Sequence, residues 1–296
     1  DLQRAYAQLG VGAAADLGRK SSAWQSWSER LAAYASSPEV AAERAYWQAL
    51  PADRGLPCDH PQGRNLTACA ERLEVQLDPT TTEALLTQAP AAYRTQINDL
   101  LLSALAHALR DWNGQAQTLI ALEGHGREGL FEELDLSQTL GWFTSLYPLL
   151  LQAGDDWDAT LKGTKENLRR VPRGGIGYGL LKYLQGEDLP ALDDALLFNY
   201  LGRLQTSGQL FDLAEEASGA QRDASAPLAC ALALDGRVTG GCLQFTCTFS
   251  HERFDRERIV ELLEAYRCAL VELVQHCRTQ AAVTPSDFPF VPLSQA

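Results

Sequence analysis

Residues 242–277 join an alternating strand to a long amphipathic helix, and this pair most constrains the fold. In "CLQFTCTFS" apolar residues recur at every second position, which predicts a strand with one buried face. The helix predicted from about Asp255 to Cys277 carries an apolar stripe at helical spacing. The stripe consists of Ile259, Leu262, Leu263, Tyr266, Leu270, Leu273 and Val274. An apolar strand face and an apolar helix stripe both need a partner, so we expect a sheet with helices packed on it.

The rest of the chain alternates between similar patterns without strict βαβ order. Helices are predicted in residues 1–50 with a break around 10–22, at 98–112 and at 157–171, and a loop at 51–63. Strands are predicted at "ERLEVQLD", "TLIALEG", "LGWFTSLYPLLLQ" and "ALLFNYLGRL". Residues 228–250 resemble a hairpin with its turn at Asp235-Gly236, a strong turn pair. His107 is expected to be a surface or flanking histidine. Lys162, Lys165, Arg169 and Arg170 are expected on a solvated helix side.

Composition and charge argue against several kinds of partner and cellular location. The net charge is −13 at pH 7 with no basic tract, which argues against nucleic acid and anionic membranes. Apolar runs stay below the roughly 18 residues of a membrane span, and the N-terminus lacks a signal-peptide pattern. Seven cysteines without a C-x-x-C motif fit reduced thiols, so we expect a cytoplasmic protein. Because there is no methionine, we expect a piece of a longer protein.

The loop "EGHGRE", Glu123–Glu128, concentrates chemistry after a buried strand. Two glycines flank His125 and allow backbone angles that other residues avoid. A carboxylate near the Arg127 guanidinium would stay ionised, and in a dry cleft it could act as a base. From these residues alone, a solvated charged turn is the more ordinary interpretation.

Other stretches are weaker when taken singly. "PRGGIGYG" could cradle a phosphate at a helix start, although it lacks the ending of a P-loop and a glycine hinge is favoured. In "FNYLG", Asn199 and Tyr200 face opposite sides of a strand, and a tyrosine hydroxyl either donates to an oxyanion or only packs. Ser145 has no histidine at triad spacing. Cys58-Asp59-His60 is half a metal site or, more simply, a polar loop.

Four of these stretches together resemble epimerization domains of nonribosomal peptide synthetases. "EGHGRE", "GWFTSLYP", "PRGGIGYG" and "FNYLG" occur in that family's order and at about its spacing. "NDLLLSALAHAL" is similar to the helix that precedes them, and "VTPSDFPFVPLSQ" to the linker that follows. The resemblance runs the whole length of the chain.

The resemblance implies an α+β fold of the chloramphenicol-acetyltransferase type, in which two lobes enclose an active-site tunnel. It implies that the α-carbon of an aminoacyl or peptidyl thioester is inverted from L to D. The thioester is carried on the phosphopantetheine arm of a peptidyl carrier protein, with neighbouring synthetase modules as further partners. No intrinsic cofactor or metal is expected, and the setting is antibiotic biosynthesis and secondary metabolism.

The same resemblance assigns the site residues. Glu123 corresponds to the family's acid/base, Tyr200 is implicated near the site, and Asn199 and His125 are carried over with them. The family's other acid/base is the second histidine of an HHxxxDG motif, which has no counterpart here. We therefore expect the chain to lack roughly the first third of the domain.

On this interpretation residues 1–66 are the remainder of the N-terminal lobe, 67–285 the complete C-terminal lobe and 286–296 a linker toward the next module. The chain alone is expected to be inactive. Two alternatives stay open beside epimerization: a condensation domain that forms peptide bonds, and a non-catalytic fragment that docks a carrier protein. A hydrolase using Ser145 is a remote third.

Overall fold

A mixed six-stranded sheet forms the centre of the computed structural model, which describes residues 1–127, 129–203, 216 and 219–288. The strands are β1 Ala70–Gln76, β2 Gln117–Gly124, β3 Ser145–Gln152, β4 Leu196–Arg203, β5 Leu232–Thr239 and β6 Cys242–Ser250. Their order is β1-β6-β5-β4-β2-β3. Strand β4 runs parallel to both β2 and β5, while the remaining pairs are antiparallel. The α+β fold class predicted from the sequence is confirmed.

Helices flank this sheet and fill the N-terminal part of the chain. They are α1 Leu2–Gly10, α2 Trp24–Tyr34, α3 Pro38–Ala42, α4 Arg44–Gln48, α5 Pro79–Glu83, α6 Ala89–Tyr93, α7 Ile97–Asn113, α8 Trp157–Arg170, α9 Ile176–Gly179 and α10 Arg256–Thr279. Asp78 caps α5, and Gly114 ends α7 with a φ of 71°. Within the described part of the chain, none of these helices has both the length and the apolar character of a membrane span.

Helices α7 and α10 cover one face of the sheet. The Phe245 ring on β6 lies 4.9 Å from that of Tyr266 on α10, and the Tyr266 hydroxyl donates to the Leu101 carbonyl of α7 at 3.2 Å. Both aromatic side chains are fully buried. The predicted strand and helix of residues 242–277 therefore pack on each other as expected.

The hairpin turn lies elsewhere than predicted. Strand β5 continues through Asp235 and Gly236, and the turn is made by Gly240 and Gly241, whose φ angles are 58° and 82°. Gly236 pairs with Phe245, and a Cβ on Gly236 would lie 2.4 Å from that ring. The glycine therefore makes room for an aromatic side chain, and the predicted turn at Asp235-Gly236 is wrong.

The expected surface position of His107 and the expected solvated position of Lys165 are also wrong. His107 is buried between α7 and α8, where its Nε2 lies 2.8 Å from the Thr160 hydroxyl and its ring 4.0 Å from that of Trp157. Lys165 is 1% exposed and forms an ion pair of 2.7 Å with Asp287. Helical periodicity marks the apolar side of α8, but it cannot show that a second buried layer covers the polar side.

The loop at 51–63 ties the N-terminal part to the start of α10. The Cys58 thiol donates to the Arg253 carbonyl, and His60 Nε2 lies 3.0 Å from the Asp255 carboxylate. Asp59 accepts the backbone N–H of Asp255 at 3.0 Å. These contacts favour the polar-loop interpretation of the Cys-Asp-His trio. The lobe and linker boundaries inferred from the sequence stay predictions.

Candidate active site

Strands β2 and β4 bring two of the predicted site residues together. Leu122 pairs with Phe198 in the parallel register, so the next residues, Glu123 and Asn199, are neighbours on one face. The Asn199 Nδ2 donates to the Glu123 Oε2 at 3.0 Å. Parallel pairing thus joins residues that lie 76 positions apart in the chain.

Glu123 occupies an environment that favours its protonated form. Its side chain is half-buried at the end of β2. Burial raises the pKa of the Glu123 carboxyl, and the negative charge of Asp235 raises it further. A carboxyl with a raised pKa is a stronger base than an exposed glutamate and can also hold a proton nearer to neutral pH.

Arg127 does not pair with Glu123, contrary to the sequence-based interpretation of an ionised carboxylate beside a guanidinium. Its guanidinium donates to the carbonyls of Leu136 and Thr139 at 2.6 and 2.8 Å and lies 4.0 Å from the ring centre of Phe143. Arg127 therefore fixes the path of residues 136–143. Glu128 lies outside the described residues.

Gly126 gives the same loop its shape. Its φ of 66° is in the left-handed region, and a Cβ there would lie 1.6 Å from the Phe143 carbonyl oxygen. The predicted need for glycine beside His125 is thus borne out at Gly126. His125 itself is exposed, and its Nδ1 accepts the backbone N–H of Arg127 at 3.0 Å.

Tyr200 lies on the other side of β4 from Glu123 and Asn199. Alternation along the strand places its side chain on the face of Phe198, and its ring packs against the main core. Burial raises the pKa of the Tyr200 hydroxyl, while the charge of Arg203 lowers it. The structure therefore joins Glu123 to Asn199, leaves His125 on the adjoining loop and sets Tyr200 on the opposite face.

Asp235 is a neighbour of the site that sequence reasoning missed. It is the direct partner of Asn199 in the parallel pairing of β4 with β5. Burial raises the pKa of its carboxyl, whereas Arg72 and Arg237 lower it. The signal that could have found it is alternation: buried Leu232, Leu234, Gly236 and Val238 continue past the supposed turn.

The glycine-rich segment supports the end of β2. Residues Pro172–Gly175 form a tight turn before α9, in which Arg173, Gly174 and Gly175 have left-handed φ angles of 43°, 61° and 84°. The Arg173 guanidinium binds the buried Glu43 carboxylate at 2.6 Å. A Cβ on Gly124 would lie 3.1 Å from the Gly174 carbonyl, so this segment packs directly beside the residue that follows Glu123.

The arrangement suits the acceptance and return of a proton by Glu123. It offers a half-buried carboxyl, an amide that orients it and a glycine-shaped loop at its side. Over the residues that the structure describes, no group of three or more His, Cys, Asp or Glu side chains is placed to hold a metal ion.

Comparison with known proteins gives concordant matches. A model of the condensation domain matches residues 1–286. A linear gramicidin synthase of Brevibacillus parabrevis is 40% identical over 100% of this chain, and tyrocidine synthase 1 of the same organism is 36% identical over 97%. The chain spans only 4% and 28% of the lengths of these two relatives.

Solved structures agree with this. The epimerization domain from the third module of tyrocidine synthetase B is 32% identical with a TM-score of 0.84, over 93% of this chain and 64% of that one. The first condensation domain of the calcium-dependent antibiotic synthetase is 18% identical with a TM-score of 0.62, over 92% of this chain and 59% of that one. The second likeness concerns the fold alone. The predicted chloramphenicol-acetyltransferase-like fold and the resemblance to an epimerization domain are confirmed.

Proposed function

Since this chain belongs to the condensation-domain family, we propose that it inverts the α-carbon of a thioester-bound amino acid or peptide within a nonribosomal peptide synthetase. The substrate would arrive on the phosphopantetheine arm of a peptidyl carrier protein. Similarity to synthetases and to a solved epimerization domain supports this proposal. The observation that carries it is the half-buried Glu123 carboxyl, held by Asn199 and with a raised pKa.

The proposed chemistry needs a base and an acid on opposite faces of one carbon. Removal of the α-proton leaves its electron pair in a carbon–carbon double bond, and the carbonyl pair moves to the thioester oxygen. Return of a proton to the opposite face restores the carbonyl with inverted configuration. Positioned proton transfer of this kind contributes about 10²–10⁴-fold to rate.

Within this scheme Glu123 takes or returns the proton on its own side of the carbon, and Asn199 orients its carboxyl. The group on the opposite side would be the family's HHxxxDG histidine, which has no counterpart among these 296 residues. His125 stays a proposed site residue. The core-facing ring of Tyr200 favours a packing role for it.

Uptake of deuterium at the α-carbon in D₂O tests the proposal. We use a chain extended to include a lobe that bears the HHxxxDG motif. In its presence, a carrier-bound aminoacyl thioester should exchange its α-proton for deuterium from the solvent. Glu123→Gln in that chain should fold normally and lose about 100-fold or more of the exchange rate. The 296-residue chain alone should give no exchange.

Glu74→Gln is the matched control, because Glu74 is an exposed acid at the remote edge of the same sheet. It should leave the exchange rate unchanged. Near-native exchange by Glu123→Gln would reject Glu123 as the acid/base.

A condensation domain is the second candidate, favoured by the match of residues 1–286 to the condensation-domain family. Supplied with donor and acceptor thioesters, a condensation domain would yield a dipeptide without α-deuterium. A non-catalytic docking fragment would bind the carrier protein and yield neither product.

A further inference from the structure

A second carboxyl lies in register with the proposed acid/base. Asn199 on β4 is flanked by Glu123 on β2 and by its direct partner Asp235 on β5. Directly paired residues of neighbouring strands point to the same face, so the three side chains form one row. Adjacent strands lie about 4.8 Å apart, which separates the Glu123 and Asp235 backbones by about 10 Å with the Asn199 amide between them.

The charged groups around this row divide between its two ends. Arg72 on β1 and Arg237 on β5 act on Asp235 and favour its ionised form. At the other end, the guanidinium of Arg127 is bound to carbonyl oxygens. Burial raises the pKa of the Cys230 thiol to about 11, and the charge of Glu123 contributes to this shift. The thiol is therefore neutral near pH 7.

The two carboxyls differ in the charges beside them. Coupled acids titrate as a pair, so the charge of one shifts the titration of the other. Arg72 and Arg237 lower the pKa of Asp235 against the effect of burial, and the charge of Asp235 raises the pKa of Glu123. Half-burial of both carboxyls reduces the screening that would weaken this interaction in open solvent.

We propose that Asp235 is a positioning residue whose carboxylate acts through Glu123 and makes it a stronger base for the α-proton. Its importance for turnover rests on the proposed epimerization, whereas the coupling between the two carboxyls does not. The coupling can therefore be tested without any activity.

Carbon-13 NMR of side-chain carboxyls, in the 296-residue chain with labelled glutamate, gives a direct readout. The Glu123 signal is assigned by its disappearance in Glu123→Gln. In the unaltered chain its titration midpoint should lie above that of an ordinary glutamate. Asp235→Asn, which removes the charge at nearly constant shape, should move this midpoint to lower pH.

Two further variants make the result specific. Asp235→Glu keeps a carboxylate and should keep the midpoint raised. Glu74→Gln removes an acid on β1, two strands beyond Asp235 in the same register, and should not move the midpoint. If Asp235→Asn fails to fold, Asp235→Thr, with a residue that strands favour, replaces it. An unchanged Glu123 midpoint without the Asp235 charge would overturn the proposal, because burial alone would then account for it.

Failure of this test is distinguishable from failure of the proposed function. A lowered midpoint without α-proton exchange in the extended chain would sustain the coupling and reject epimerization. Exchange of the α-proton with an unmoved Glu123 midpoint would support epimerization and reject the coupling.

Discussion

The position of Glu123 that suits its proposed function lowers the stability of the folded chain when its carboxyl is ionised. A carboxylate removed from water and facing a second negative charge is less stable than the same group in the unfolded chain. The hydrogen bond from Asn199 offsets part of this cost, since amide donors stabilise the charged form. Residues kept under such conditions are typical of active sites rather than of scaffolds.

Replacement of Glu123 by glutamine should therefore stabilise the fold. Because the folded-state pKa of Glu123 is raised, its protonated form is present in both states at low pH, and stability is lost as pH rises through the folded pKa. Glu123→Gln keeps an oxygen for the Asn199 donor and has no charge to bury. Its urea midpoint should exceed that of the unaltered chain at about pH 8, and the difference should shrink toward about pH 4.

Glu74→Gln again serves as the control, since Glu74 is exposed. An equal gain in both variants, or a gain for Glu123→Gln that does not depend on pH, would contradict the explanation.

At the scale of the element, the conformation of the loop after β2 depends on one glycine. Gly126 combines a left-handed φ with contact against the Phe143 backbone, whereas a Cβ on nearby Gly129 would meet nothing within 4 Å. Gly126→Ala should cost about 1–3 kcal/mol of unfolding free energy from strain and displacement of the loop. Gly129→Ala should change it by about 0.5 kcal/mol or less.

Chemical denaturation of the two variants measures this difference. Similar stability of both would show that the loop can relax around a methyl group. A Gly126→Ala chain that stays folded but in which the Glu123 titration midpoint has shifted would show that the loop shapes the site as well as the fold.

Most of the strands and helices could be predicted from the periodicity of apolar residues in the sequence. The alternation of β6, the stripe of α10 and the stop at Gly114 follow from local chemistry that the chain itself displays. Asp235 was hidden because Asp-Gly is a strong turn signal, and only the ring of Phe245 across the sheet explains why Gly236 stands within a strand. Arg127 was misjudged because its partners are backbone carbonyls, which no side-chain pattern reveals.

At the scale of the whole molecule, a buried ion pair fastens residues 285–287 to the helical layer. The Lys165 ammonium binds both oxygens of Asp287 at 2.7 Å and also donates to the Tyr93 carbonyl. Burial alone would raise the pKa of Asp287, but its bonds to Lys165 and to the Thr284 backbone hold it below its ordinary value. The stabilisation is therefore lost as pH falls through the pKa of Asp287.

Asp287→Asn should lower stability by about 3–5 kcal/mol, because the buried Lys165 ammonium would lose the carboxylate that balances its charge. Lys162→Met is the matched control on the same helix. It breaks an ion pair with Asp158 that is partly exposed, and it should cost about 0.5 kcal/mol or less. Thermal and urea unfolding at neutral pH measure both, and equal effects would mean that the Asp287 end of the chain is not firmly docked.

Only three residues on each side form the ladder between β2 and β4: Ile120 with Leu196, Ala121 with Leu197 and Leu122 with Phe198. This short ladder joins the antiparallel pair β2 and β3 to the other four strands, and the hydrogen bond between Asn199 and Glu123 lies at its end. A shear or splaying motion that divides the sheet along this line would part those two side chains before it disturbed either half. The distance between Asn199 Nδ2 and Glu123 Oε2 therefore reports whether the two halves of the sheet are together or apart.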